Sequence, residues 1–157
     1  MAAATVPLDE IALSSPDPRG IPRKLKPCVL LIEDDEDAMH WVQHALKEYG
    51  NGKYKLEWKQ CLSDGLSRLL HGGIDLILLD LGLGDCSSPF TEAWVRKAAP
   101  KVPIVVLSGD PAGQIESSLP SIEKHLVKGQ VSPEELVQAI SDALGRGMPP
   151  KHSSNFA

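Results

Sequence analysis

The chain has 157 residues, of which 42% are hydrophobic, and its formal net charge at pH 7 is −5. This length suffices for one domain with a complete core, and the acidic balance disfavours nucleic-acid binding, which needs clustered Lys and Arg. No apolar run approaches the roughly 18 residues of a membrane span, and the N-terminus lacks a signal-peptide pattern. Three cysteines without metal-ligand spacing predict no disulfide. We therefore expect a cytoplasmic protein that binds neither nucleic acid nor membranes.

The two ends of the chain differ in composition from its middle. Residues 1–26 contain four prolines among Ser, Asp and Gly residues, which is typical of a flexible arm. Residues 147–157 follow the last helical pattern and are predicted to be a C-terminal tail. A single domain is therefore predicted for residues 27–146.

The first predicted strand is the apolar run over residues 28–32, which is followed by five consecutive carboxylates, Glu33–Asp37. A helix is predicted next and should end before Gly50, because apolar residues recur at helical spacing at Met39, Val42, Leu46 and Tyr49. Asp35, Glu36 and Asp37 are explained as residues that cap this helix and favour its dipole. Capping needs only one or two carboxylates, so Glu33 and Asp34 are available for another role.

The second strand is predicted around Tyr54–Trp58, where apolar and charged residues alternate as they do in an edge strand with one exposed face. A short helix should follow, with Ser63 as its N-cap and an apolar face formed by Leu66, Leu69 and Leu70. The third strand is predicted in the stretch that begins at Ile74, from its four uninterrupted apolar residues 76–79, and it ends in Asp80. Ligands of open parallel sheets bind outside the carboxyl ends of the strands, which favours a chemical role for Asp80 over a simple turn-forming one.

The remaining elements continue the alternation of strands and helices. Ser88–Pro89 predicts the start of a helix whose apolar face contains Phe90, Trp94 and Val95. A buried strand over residues 102–107 leads to Ser108, and a short or irregular helix is expected over residues 111–123. A short strand over residues 125–127 ends at Lys128. The last helix is predicted from a capping box, Ser132–Glu135, and should end at Gly145 and Gly147.

Five strands alternating with five helical segments predict an α/β fold, with a doubly wound parallel sheet and helices on both faces. Four strand ends then place Glu33, Asp34, Asp80, Ser108 and Lys128 at one edge of the sheet. Converging carboxylates repel one another, and Mg²⁺ is the cation that suits an all-oxygen site beside a phosphate. Asp80 could then act as a nucleophile in phosphoryl transfer.

This set of motifs resembles the receiver domain of two-component response regulators. The resemblance covers about residues 27–146 and implies a flavodoxin-like sheet with strand order 2-1-3-4-5. It also implies that Mg²⁺ binds Glu33, Asp34, Asp80 and the backbone carbonyl of Gly82. In this family the residue corresponding to Asp80 accepts the phosphoryl group.

Two further roles follow from the same resemblance. Ser108 corresponds to the switch hydroxyl, and Lys128 corresponds to the lysine that pairs with the phosphoryl group. The chain departs from the family pattern at His125, where an aromatic residue is usual, and at Gly129, where a proline is usual. Gly84 and Ser88 likewise replace the usual proline and glycine of the loop after the acceptor.

The function implied is that of a single-domain response regulator rather than an enzyme, with autodephosphorylation as its only intrinsic activity. Its expected partners are a sensor histidine kinase or histidine phosphotransfer protein and a downstream protein target, and a homodimer is compatible with the sequence. The alternative is a receiver-fold binding module with weak or unused phosphorylation. A haloacid-dehalogenase-type phosphatase is disfavoured, because Gly82 stands where that family has a second Asp. His40 and His44 are predicted to be an exposed helix face rather than a metal site, and Cys86 a spectator.

Overall fold

The computed structural model of the chain describes residues 26–84, 90–109 and 123–146. These residues form five strands and four helices, which in chain order are β1 (Cys28–Ile32), α1 (Glu36–Glu48), β2 (Lys55–Lys59), α2 (Leu62–Leu69), β3 (Leu76–Asp80), α3 (Phe90–Ala98), β4 (Ile104–Ser108), β5 (Lys124–Val127) and α4 (Pro133–Arg146). The predicted arm, except for its last residue, and the tail lie outside the described residues. So do Cys86, the Ser88–Pro89 cap, and the predicted helix over residues 111–123 except for its last residue.

All five strands are parallel and form one sheet in the order β2-β1-β3-β4-β5, which confirms the predicted topology. The register pairs Ile32 with Lys59 on one side and with Leu79 on the other, and it pairs Asp80 with Leu107. The carboxyl ends of β1, β3 and β4 therefore meet at one edge of the sheet. None of the described helices is long and apolar enough to cross a membrane.

The hydrophobic core lies on both faces of this sheet. Strands β1, β3 and β4 are buried along their whole length, because successive side chains point to opposite faces and helices cover both. Leu30, Ile32 and Leu79 pack with α2 and α3, whereas Leu31, Leu78 and Leu107 pack with α1 and α4. The continuous apolar runs of the sequence follow from this two-sided burial.

Helix α2 approaches the sheet closely at a glycine. Gly65 is buried in the middle of α2, and a Cβ atom placed there would lie 2.5 Å from the Cδ1 atom of Ile32. A separation this short is a steric clash, so with isoleucine at position 32 the packing of α2 on the end of β1 requires a residue without a side chain at position 65.

The helix caps confirm two predictions and correct a third. The Asp35 side chain accepts a hydrogen bond from the Asp37 amide at the start of α1. The capping box of α4 is present, with Glu135 N donating to Ser132 Oγ (3.2 Å) and Ser132 N donating to Glu135 Oε2 (2.7 Å). The prediction of Ser63 as a cap is wrong, because α2 already begins at the buried Leu62 and its N-cap is Cys61. At the other end of the chain, α4 continues through Gly145 to Arg146 rather than ending at that glycine.

Several aromatic and aliphatic residues predicted to face the core are exposed. Tyr49 and Leu70 are the C-caps of α1 and α2, where the chain turns away from the sheet. On α3 the buried face contains Thr91, Glu92 and Val95, which leaves Phe90 and Trp94 exposed. The aromatic side chains of α3 therefore do not pack on the sheet. The Lys97 ammonium group lies 5.6 Å from the centre of the Trp94 ring.

Candidate functional site

The polar side chains predicted at the strand ends meet at one edge of the sheet. Glu33 follows β1, Asp80 is the last residue of β3, and Ser108 is the last residue of β4. Lys128 follows β5 directly, and its amide continues the ladder by donating to Ser108 O (2.8 Å). Parallel pairing of buried strands is therefore what positions these groups, because their side chains appear where each apolar run stops.

Three carboxylates form the centre of this site. Glu33, Asp34 and Asp80 each provide an oxygen atom within 4.8 Å of the others. Glu33 and Asp80 are buried, with 0% and 4% of their surface exposed, whereas Asp34 is exposed. The cluster thus has two desolvated carboxylates and one that faces solvent.

Lys128 bridges the two buried carboxylates. Its Nζ atom lies 2.6 Å from Glu33 Oε2 and 3.2 Å from Asp80 Oδ2. Burial by itself would lower the lysine pKa, but the hydrogen bond to Glu33 and the charge of Asp80 outweigh it and raise that pKa. Lys128 is therefore a stable cation at neutral pH.

One lysine does not balance the charge of the cluster. Burial is the main cause that raises the pKa of Glu33 to about 7, and the negative charge of Asp80 adds to it. The ion pair with Lys128 and the hydrogen bond from Asp35 N to Glu33 Oε1 (3.1 Å) act in the opposite direction and do not compensate fully. The site consequently favours binding of one further positive charge.

Ser108 and His125 form a buried hydrogen bond beside this cluster. Ser108 Oγ lies 2.6 Å from His125 Nε2, and both residues are less than one-tenth exposed. The other ring nitrogen, His125 Nδ1, is buried without a hydrogen-bond partner among the described residues. The sequence placed the two residues on neighbouring strands but did not predict that their side chains are bonded.

Comparisons with known proteins agree with this fold. No protein-family model matches the chain. The swarming motility regulation protein RssB of Serratia marcescens is 32% identical over 114 residues, a match that covers 72% of this chain and 49% of RssB.

Among solved structures, the CheY-like receiver domain protein of Methanospirillum hungatei JF-1 superposes with a TM-score of 0.67 at 20% identity, covering 78% of this chain and 97% of that one. The signal receiver domain of a putative Luxo repressor protein from Vibrio parahaemolyticus superposes with a TM-score of 0.70 at 21% identity, covering 78% and 93%. The chain contains a receiver domain of the response-regulator type. It spans about half the length of the curated relative that it matches.

Two glycines of this receiver domain border the carboxylates. The Gly82 amide donates a hydrogen bond to Asp80 Oδ1 (3.0 Å), and a Cβ atom at Gly82 would lie 3.5 Å from the same oxygen. A Cβ atom at Gly84 would lie 3.8 Å from Asp34 Oδ2. Glycine at both positions keeps the space beside the carboxylates open, while metal binding by the Gly82 carbonyl stays a prediction.

The sequence did not indicate one contact of the receiver site. The indole N–H of Trp58 donates a hydrogen bond to the backbone carbonyl of Glu33 at 2.7 Å. Trp58 was interpreted only as a residue of the edge strand. The order β2-β1 and the parallel register place Trp58 beside Glu33 and Asp34. The contact could therefore have been predicted from the sequence once the sheet order was known.

The two histidines considered as metal ligands in the sequence, His40 and His44, lie on the exposed face of α1. His40 is exposed on α1, where its Nε2 atom lies 3.6 Å from Glu36 Oε1, and His44 is exposed one turn later. Within residues 26–84, 90–109 and 123–146, the acidic triad is the one group of His, Cys, Asp or Glu side chains with the spacing of a metal site. Neither histidine belongs to it.

Proposed function

We propose that this receiver domain accepts a phosphoryl group on Asp80 in a Mg²⁺-dependent reaction. The phosphoryl group would come from the phosphohistidine of a sensor histidine kinase or a histidine phosphotransfer protein. The observation that supports this most directly is the setting of the Asp80 carboxylate, which lies between the Lys128 ammonium group and the Gly82 amide. Each of its oxygens is thus oriented by a donor before any substrate arrives.

The chemistry proposed for Asp80 is a direct displacement at phosphorus. One carboxylate oxygen forms the new O–P bond while the P–N bond to the donor imidazole breaks, and the electron pair leaves with the imidazole nitrogen. Lys128, already 3.2 Å from Asp80 Oδ2, would stabilise the charge on the transferred oxygens. The donors present here, carboxylates without His or Cys, fit a hard cation.

In this proposal Glu33, Asp34, Asp80 and the Gly82 carbonyl hold Mg²⁺. The bound ion would neutralise charge on the phosphoryl oxygens and on the carboxylates. The arrangement of charges supports the assignment, because Glu33 and Asp80 share the single Lys128 ammonium group. Burial raises the pKa of Glu33 and the Asp80 charge adds to it, so a bound cation would stabilise the ionised carboxylate. The ion would enter from solvent past the exposed Asp34, whereas the buried Glu33 and Asp80 would form the fixed part of the site.

The proposal is tested by incubating the protein with Mg²⁺ and acetyl phosphate and measuring its intact mass. Wild type and Asp64→Asn, an exposed aspartate of α2 that serves as matched control, should gain one acid-labile phosphoryl group. Asp80→Asn should gain none, and EDTA should prevent labelling of wild type. Labelling of Asp80→Asn at the wild-type rate would show that Asp80 is not the acceptor. Absence of labelling in wild type, with this donor and with a phosphohistidine protein, would favour the binding-module alternative.

We further propose that Ser108 conveys the phosphorylated state to His125. A phosphoryl group on Asp80 adds strong hydrogen-bond acceptors, and the Ser108 hydroxyl is expected to turn toward them. That movement would release the 2.6 Å contact with His125. NMR signals of the His125 ring should therefore shift on phosphorylation of wild type but not of Ser108→Ala, and equal shifts in both proteins would refute this route.

For the chain as a whole, we propose residues 27–146 as the receiver domain, between an N-terminal arm (1–26) and a C-terminal tail (147–157). Its output is proposed to be a contact with a downstream protein. Its own chemistry would be limited to gaining and losing its phosphoryl group.

A further inference from the structure

The peptide that joins Glu33 to Asp34 lies at the point where the sheet ladder ends. The Glu33 amide makes the last contact between β1 and β2, donating to Lys59 O at 3.0 Å. At Gln60 the chain leaves the sheet toward α2, so β2 no longer supplies a backbone donor for the Glu33 carbonyl. A carbonyl left without a donor in this buried position would destabilise the folded state, because burial removes it from water without replacing the lost hydrogen bond.

Trp58 supplies the missing donor. Its register partner on β1 is Leu31, and its side chain extends along the strand until the indole N–H reaches Glu33 O at 2.7 Å. The ring is half-buried against the hydrophobic cluster beneath α1 and α4, which restricts its rotamer. Among the apolar aromatic residues, only tryptophan combines such packing with a ring N–H donor.

This bond acts on the acidic site through the backbone. The Glu33 carbonyl belongs to the peptide plane that leads into Asp34, so holding the carbonyl fixes the positions of the Asp34 N and Cα atoms. On the other side of Asp34, the Asp35 amide is held by Glu33 Oε1 at 3.1 Å. The exposed Asp34 is thus fixed on both sides although its own side chain faces solvent.

We infer that Trp58 is a positioning residue for the carboxylate site, because its indole N–H orients the Glu33–Asp34 peptide and thereby the Asp34 carboxylate. The part of this inference that concerns metal affinity rests on the proposed function, whereas the part that concerns the peptide does not. Groups that hold metal ligands in place typically change metal affinity by 10–100-fold when they are removed. We expect an effect near the lower end of that range, because Asp34 is one of several ligands.

The experiment compares Trp58→Phe with Trp41→Phe. Trp41 lies on α1 and packs against the same hydrophobic cluster, so both variants lose an indole and keep a phenyl ring. Incorporation of 3-benzothienylalanine at position 58 provides a second variant, which keeps the bicyclic shape and replaces the N–H by sulfur. It separates loss of the hydrogen bond from loss of packing.

Two measurements distinguish the inference from the proposed function. In metal-free protein, hydrogen exchange of the Asp35 amide should accelerate about tenfold in both position-58 variants, because local opening of residues 33–35 no longer requires breaking the indole hydrogen bond. In Trp41→Phe the exchange rate should stay unchanged. In a Mg²⁺ titration followed by amide NMR shifts, both position-58 variants should bind about tenfold more weakly than wild type.

Failure to bind Mg²⁺ in wild type would count against the proposed function only, since the exchange measurement would still decide the role of Trp58. Unchanged Asp35 exchange in the position-58 variants would overturn the inference even if wild type binds Mg²⁺. The inference would also be overturned if those variants bound Mg²⁺ as tightly as a wild type that binds it. An equal effect of Trp41→Phe would show that general packing, rather than the indole N–H, is responsible.

Discussion

Two glutamates of this receiver domain, the buried Glu33 and the partly exposed Glu57, are paired with basic side chains, and their pKa values are shifted in opposite directions. Glu57 on β2 receives two hydrogen bonds from Arg68 of α2, at 2.6 and 3.1 Å, and lies 3.2 Å from Lys55 Nζ. These hydrogen bonds from Arg68 outweigh burial and lower the Glu57 pKa to about 2. Glu33 has only Lys128, and its pKa rises to about 7.

The difference lies in the number of charges and in access to solvent. At Glu57 two cations serve one carboxylate whose side chain is 20% exposed, and Arg68 also donates to Gly72 O, so the pair connects β2, α2 and the turn before β3. At Glu33 one lysine serves two buried carboxylates. The first cluster stabilises the fold, whereas the second holds unfavourable charge that a bound cation could relieve.

Removing Lys128, the lysine between Glu33 and Asp80, should have the largest effect on stability. Lys128→Met leaves Glu33 and Asp80 buried without a cation and should lower the free energy of unfolding by about 3 kcal/mol at about pH 8. Lys55→Met is the matched control at the first cluster, where Arg68 remains and the lysine is mostly exposed, so its loss should be below about 1 kcal/mol. Urea unfolding measures both, and equal losses would show that the two clusters do not differ as described.

The pH dependence of stability should separate the two glutamates. Because the folded-state pKa of Glu33 is raised from 4.5 to about 7, the folded chain binds more protons than the unfolded chain between these values. Stability should therefore fall as pH rises from 4.5 to 7, by on the order of 2 kcal/mol from this group. Glu33→Gln should remove that slope and be the more stable protein at about pH 8. Saturating Mg²⁺ should reduce the same slope in wild type, because the ion binds the ionised carboxylates of the folded state and so stabilises the protein more at pH 7 than at pH 4.5.

Glu57 should show the opposite sign in a lower window. Its folded-state pKa is depressed from 4.5 to about 2, so its contribution is present above pH 4.5 and is lost as pH falls to 2. Glu57→Gln should lower stability at neutral pH by about 1–2 kcal/mol and flatten the acid limb of the profile, without changing the slope between pH 4.5 and 7. Thermal unfolding across pH 2–8 tests Glu33→Gln and Glu57→Gln. A change of the stability slope below pH 4.5 in Glu33→Gln, or between pH 4.5 and 7 in Glu57→Gln, would contradict the assigned direction of the pKa shift.

Much of this molecule could be predicted from its sequence. The uninterrupted apolar runs identified the buried strands, because burial on both faces of a parallel sheet leaves no polar positions inside them. The residues that follow those runs, Glu33, Asp34, Asp80 and Lys128, therefore had to meet at one edge, and the structure places them there. Charge alternation likewise placed β2 at the edge of the sheet.

Other features depended on side-chain packing that periodicity does not specify. Phe90 and Trp94 have the spacing of a buried face, yet Thr91 and Val95 have it too, and the smaller pair packs on the sheet. Ser63 is a good capping residue, but burial of Leu62 starts α2 one residue too early for it. The bond from Trp58 to Glu33 O joins residues 25 positions apart and requires the register of β1 against β2.

The close contact between Gly65 and Ile32 limits how these two positions can vary. Since a Cβ atom at position 65 would lie 2.5 Å from Ile32 Cδ1, the helix and the strand share one volume that a single larger side chain overfills. Related sequences with alanine at position 65 should therefore have a shorter residue, such as valine, at position 32. Because Ile32 immediately precedes Glu33, a change on the buried face of α2 would be transmitted to the carboxylate site unless the strand residue shrinks with it. The two positions should vary together rather than independently.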